Sequence, residues 1–193
     1  EDIITAIKDI VTECTYGKVD LGKIPMFDVE YIFLQIRAKS VGEVSTLRLL
    51  CPDDKETYVN VDIDLSEIMV QVDKGHNPKI ELTDEMGMIM TYPSIDSLSA
   101  TGVTDITADN MLDVIGACIL QIYDKKGEEV FETKDQTKKE ISEFVESLNT
   151  KQFQEVQKFF DTMPKLKHTV EVENPKTKVK SKIVLQGLND FFE

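Results

Sequence analysis

From Ser45 to Tyr92 the apolar residues stop recurring every three or four positions and begin to alternate. The runs STLRLLCP, TYVNVDIDL, IMVQV, KIEL and MGMIMTY are short, and each is alternating or rich in β-branched residues. Successive side chains on a strand point to opposite faces, so each run reads as a strand with one apolar face. Turn chemistry separates them at Pro52-Asp53-Asp54-Lys55, Lys74-Gly75-His76-Asn77 and Asp84-Glu85-Met86-Gly87. Short strands joined by tight turns predict an antiparallel β meander over residues 43–92 rather than βαβ units.

Helical spacing flanks this segment. Ile3, Ile4, Ile7, Ile10, Val11 and Cys14 form one apolar face and predict a helix over 2–15. A second helix is expected over 27–41, capped by Asp28, with Phe27 stapled onto Ile32 and Gly42 ending it. The period returns at TADNMLDVIGACILQIY, where Thr107 as cap and an early Asp109 predict a central buried helix over 107–123. Val130-Phe131 reads as a further strand. Thr137 and Glu140 form a capping box for a helix over 137–148. Asn149 or Thr150 opens another over 150–163, which Pro164 stops. HTVEVENPKTKVKSKIVLQGLNDFF then reads as two strands around ENPKTK, followed by Gly187 and a short helical turn. The fold class is α+β: N-terminal helices, an antiparallel β meander, a central buried helix with two further helices, and a C-terminal β-hairpin and short helix. The expected organisation is an α+β body over 1–163 and a hairpin appendage over 164–193.

Charge narrows the partners. The chain carries 36 acids against 22 bases, a net −14. That disfavours nucleic acid, whose affinity for proteins comes largely from Lys and Arg on phosphates, and anionic membrane surfaces. From Pro164 to Glu193, however, six lysines face four acids. Lys176, Lys178, Lys180 and Lys182 alternate, so on a strand they would share one face and could meet an acidic protein surface. Phe191 and Phe192 follow Gly187 and would make an apolar anchor beside them. These six residues form the candidate partner-docking site. The plainer alternative is a solvated hairpin whose lysines guard an exposed edge, with both rings folded into the chain's own core.

Other site chemistry is sparse. Cys14, Cys51 and Cys118 are widely spaced in apolar surroundings, which points to a reducing compartment and buried thiols. Zinc needs clustered Cys and His, but there is no C-x-x-C and the only histidines are His76 and His168. The turn Asn174-Pro175-Lys176-Thr177 offers no metal ligand. VDIDLSE holds Asp62, Asp64 and Glu67 without the alternate ligands, central Gly and distal Glu of a calcium loop, and reads as a solvated strand face. Phosphate-cradling loops and a nucleophilic triad are absent, so no catalytic, metal or cofactor-binding residue is assigned and no cofactor is expected. MLDVIGACILQIY is too short for a membrane span and contains Asp113 and Gln121.

Two stretches together, KIPMFDVEYIFLQIRAKSVGE from Lys23 and FFDTMPKLKHTVEVENPKTKVKSKIVLQGLNDFF from Phe159, resemble the baseplate hub subunit and hub assembly protein family of T-even-type contractile-tailed bacteriophages. Members usually carry a further N-terminal segment with an Arg-Pro-Phe-type sequence, and the expectation is that this segment is missing here. The resemblance implies a structural or assembly role and no enzymatic activity. It also implies other hub or tail-tip proteins as partners, with oligomer formation left open. The location it implies is the host cytoplasm during assembly and the tail baseplate of the virion. Two other readings stay open: a transient assembly chaperone absent from the mature virion, and a carboxylate-based hydrolase.

Overall fold

A computed structural model describes residues 3–102, 110–126 and 129–192. Helices α1 (Ile3–Cys14) and α2 (Met26–Val41) lead into strands β1 (Val44–Leu50), β2 (Tyr58–Asp64), β3 (Met69–Gln71), β4 (Lys79–Glu81) and β5 (Met86–Met90). Then come α3 (Ile95–Thr101), α4 (Met111–Ala117), β6 (Ile119–Asp124) and β7 (Val130–Glu132). The chain closes with α5 (Lys138–Ser147), α6 (Thr150–Thr162), β8 (Lys165–Glu173), β9 (Lys180–Gln186) and a 3-10 turn at Asn189–Phe191. The class is α+β, and the strand pairs of all three sheets are antiparallel.

The five runs between Ser45 and Tyr92 are strands, but they divide among three sheets: β1-β2, β3-β8-β9 and β4-β5-β6-β7. The first break has a local cause. The Asp64 carboxylate accepts the Ser66 N–H at 2.9 Å and the Ser66 hydroxyl at 2.6 Å, winding Leu65–Glu67 into a 3-10 turn that ends the β1–β2 ladder.

The expected helix over 107–123 is corrected. Within the described residues it is helical only over Met111–Ala117, and Ile119–Asp124 is strand; Thr107 and Asp109 lie outside the described residues. A short apolar run fits a buried strand as well as a buried helix, and long-range pairing decides. The Cys118 N–H closes the helix on Val114 and Ile115, while its carbonyl accepts the Thr91 N–H at 2.7 Å and opens the ladder between β5 and β7.

Three smaller expectations also shift. Helix α2 begins at Met26, whose N–H donates to Pro93 O at 2.9 Å, so Asp28 lies in its first turn instead of capping it. Periodicity points to no helix at α3, yet Ser94 and Ser97 cap it reciprocally, each hydroxyl accepting the other's N–H at 3.2 and 2.8 Å. Cys14 is exposed, because α1 turns the Val11 flank inward and leaves Ile10 and Cys14 outside.

The chain forms two compact units. In the one containing residues 27–71 and 164–193, Leu34 and Ala38 of α2 share a core with Leu47, Ile63, Leu166, Val170, Leu185 and Phe191. The C-terminal hairpin is integral to this unit, since β8 pairs with β3 through Met69↔Lys167, Val70↔Leu166 and Gln71↔Lys165. In the unit containing residues 72–163, the cross-strand row Ile80, Met88, Ile122 lies beneath α4, α5 and α6, which contribute Val114, Val145, Val156 and Phe159. Tyr123 lies across Gly87 so closely that a Cβ there would meet its ring.

Candidate functional site

The turn of the β8–β9 hairpin is tied to the turn of β1–β2 by a buried amide. Asn174 is fully buried; its Nδ2 donates to Asp53 Oδ1 at 3.0 Å and Oδ2 at 3.1 Å. Its Oδ1 accepts the N–H groups of Lys176 at 2.9 Å and Thr177 at 3.3 Å, and the Thr177 hydroxyl donates to Asp53 Oδ2 at 2.5 Å. Asp54 next door accepts the Thr57 hydroxyl at 2.6 Å and the N–H groups of Thr57 and Glu56 at 3.0 and 3.1 Å. These donors hold both carboxyls below the usual range, the Thr177 hydroxyl acting most on Asp53 and the Thr57 hydroxyl most on Asp54.

This geometry separates the four lysines. Only Lys180 and Lys182 lie on β9; Lys176 and Lys178 belong to the turn, where Lys178 takes a left-handed φ of 64°. Register sets Lys180 opposite Glu173 and Lys182 opposite Glu171, with Lys182 Nζ 3.5 Å from Glu171 Oε1. Lys182 is thus compensated within its own sheet and Lys180 lies opposite Glu173, but Lys176, Lys178 and Lys180 have no ion pair among the described residues.

The two phenylalanines also part. Phe191 is fully enclosed in the core, and its carbonyl accepts the Ser45 hydroxyl at 3.3 Å. Phe192 remains 39% exposed, its ring edge-on to Phe33 at 6.1 Å, with the Arg37 guanidinium 5.9 Å from its centroid. Phe33 and Arg37 stand one turn apart on α2, a spacing visible in the sequence but silent about the C-terminal ring it receives. The turn lysines and Phe192 sit at opposite ends of β9, about 20 Å apart by strand rise, so the six candidate residues do not form one patch.

Elsewhere, polar groups serve the fold. The Thr162 hydroxyl donates to Lys158 O at 2.7 Å, so its oxygen accepts from His76 Nδ1–H at 3.0 Å. Nε2 is then left to accept the Tyr92 hydroxyl at 3.0 Å. The His76 ring packs 5.1 Å from Phe159 and 5.6 Å from Tyr92, and burial lowers its pKa. Both nitrogens are engaged by a neutral ring, which makes His76 a structural pin. Burial pushes the Cys118 thiol up to about 12, leaving it an inert apolar group. Asp62 accepts the Thr46 hydroxyl at 2.6 Å, and no metal-binding group of three His, Cys, Asp or Glu occurs among the described residues.

Buried polar groups hold loops together within an α+β protein that exposes an aromatic–guanidinium cluster at one end of β9 and two turn lysines at the other. The chain belongs to the family described as T4 bacteriophage base plate protein, whose model matches residues 1–193. No curated protein and no solved structure matches. Membership makes this a structural baseplate protein of the virion tail, interacting with other tail or baseplate proteins, and suggests a non-enzymatic role. Among the described residues no helix is long and apolar enough to cross a membrane.

Proposed function

We propose that the chain is a building part of the baseplate hub, assembled in the host cytoplasm, and that it binds a neighbouring hub or tail-tip protein through Phe192, Phe33 and Arg37. The observation that carries this reading is the exposed Phe192 ring held between a second aromatic and a guanidinium. Aromatic and Arg side chains in such clusters supply most of the energy at protein interfaces. The turn residues Lys176 and Lys178 form a separate, weaker contact with an acidic surface, steering the encounter more than holding it.

The test is co-expression of this chain with hub and tail-tip proteins, followed by pull-down. Wild type is expected to retain at least one of them, and Phe192→Ala with Arg37→Ala to lose it while remaining folded. Retention by the double variant overturns the patch, and no association with any of these proteins overturns the hub role. Presence in purified virions by mass spectrometry supports a building part; absence from particles assembled with this protein shows a transient chaperone instead.

A further inference from the structure

Strand β9 ends the sheet β3-β8-β9, and its outer edge has a readable hydrogen-bond parity. Gly187 N donates to Leu166 O, and Asn174 N to Val179 O, each at 3.0 Å. Bonded pairs alternate along an antiparallel ladder, so the odd-numbered residues of β9 bond to β8 and the even-numbered ones point their N–H and C=O outward. Gln186 follows this rule: its N–H reaches Asp190 Oδ2 at 2.7 Å. The outward groups of Lys180, Lys182 and Val184 have no partner among the described residues.

Natural edges are blunted by proline, a bulge, a covering element or charged side chains, lysine among them. The β8–β9 pairing runs unbroken from Lys180 to Gln186 without proline, and the two strand lysines already face Glu173 and Glu171. Their solvent-side neighbour is Val184, 49% exposed. This edge is open to another strand.

We propose that β9 pairs antiparallel with β9 of a second copy about a two-fold axis through Ile183, joining the two β3-β8-β9 sheets into one. Bonded pairs across that edge must come from outward-pointing, even-numbered residues. Centring on Ile183 sets Lys182 opposite Val184 and Lys180 opposite Gln186, and about four N–H···O bonds form between the Lys182 and Val184 pairs alone. Centring on Lys182 would oppose lysine to lysine, which is destabilising. Centring on Val184 would pair Lys182 with Gln186, whose N–H already bonds to Asp190, and forfeit bonds. The favoured register lays the Lys182 stem over the exposed Val184 of the second copy while its ammonium stays beside its own Glu171. The strand is thus self-complementary in hydrogen bonding and apolar cover, with no like charges directly opposed.

Cysteine cross-linking of the full chain in a Cys14→Ser background tests the register. Ile183→Cys is expected to form a disulfide dimer on mild oxidation, since non-bonded pairs bring Cα atoms to about 4.5 Å, within disulfide reach. Ser181→Cys, which faces Leu185 of the second copy, is expected to stay unlinked. Sedimentation of the unlinked wild type should give a dimer, and Val184→Pro, which removes only an outward N–H, should weaken it about tenfold or more. Equal linking at 181 and 183 overturns the proposal, as does a wild type that stays monomeric at its highest soluble concentration. Undiminished dimerisation by a folded Val184→Pro overturns it too; should that variant not fold, the cross-linking pair decides.

Discussion

The side-chain amide of Asn174 bridges both carboxylate oxygens of Asp53, at 3.0 and 3.1 Å, across 121 residues of sequence. The donor is fully buried and its other end closes the hairpin turn, so one residue sets both the shape of that turn and its attachment. Asn174→Ala is expected to destabilise the protein by about 1–3 kcal/mol, read as a lower urea midpoint, because it removes the amide donor to Asp53 and the acceptor of two turn N–H groups together.

The pH dependence of the same junction has a definite sign. Asp53 and Asp54 titrate below their ordinary range when folded, so their contribution is full above the unfolded value of about 4 and is lost as pH falls through the lower folded values. Asp53→Asn should flatten the acid limb of a stability–pH curve, and a limb as steep as wild type would show that the junction does not set it.

Glu30 shifts the other way. Burial on α2 raises its carboxyl to about 7, with Oε1 close to Gly187. Stability from this group is fully present below about pH 4.5 and is lost as pH rises through 7. Glu30→Gln is therefore expected to stabilise the protein at pH 8, by on the order of 2 kcal/mol, and to change little at pH 4.

His76 places a third titration in the other unit. Its folded pKa is lowered by burial, so the neutral pin is fully effective above the unfolded value near 6.5 and weakens as pH falls through the folded one. On acidification from pH 7 towards 5, hydrogen exchange of α6 amides should slow less than their intrinsic rates do, an excess of exchange that reports lost protection. His76→Gln should abolish that excess.

The adjacent phenylalanines should separate cleanly under mutation. Phe191→Ala is expected to cost about 3–5 kcal/mol by opening a cavity in a closed core. Phe192→Ala should stay within about 1 kcal/mol in thermal melts, since its ring is half in water and makes one edge contact.

Legibility followed the range of the interaction. The Thr137–Glu140 box reads directly from sequence and closes as expected, with Glu140 Oε2 accepting the Thr137 N–H at 2.8 Å. The Asn149 cap of α6 reads the same way. The Ser94–Ser97 box has the same local logic but lacks the acidic third residue that advertises one. Ile119–Asp124 was unreadable, because its composition suits a buried helix and a central strand equally and only β5 and β7 decide between them.

By itself the sequence determined the α+β class, the antiparallel strands of residues 44–90, and the ends of α5 and α6, because periodicity and caps act within a few residues. Its alternating lysines and paired phenylalanines looked like one docking face. Only the tertiary structure decided that Lys176 and Lys178 leave the strand while Lys180 and Lys182 stand opposite glutamates on β8. It also decided that Phe191 closes the core as Phe192 stays outside. The physical reason is that register, charge compensation and burial depend on partners far away along the chain, as Asp53 is from Asn174, and no local spacing names them.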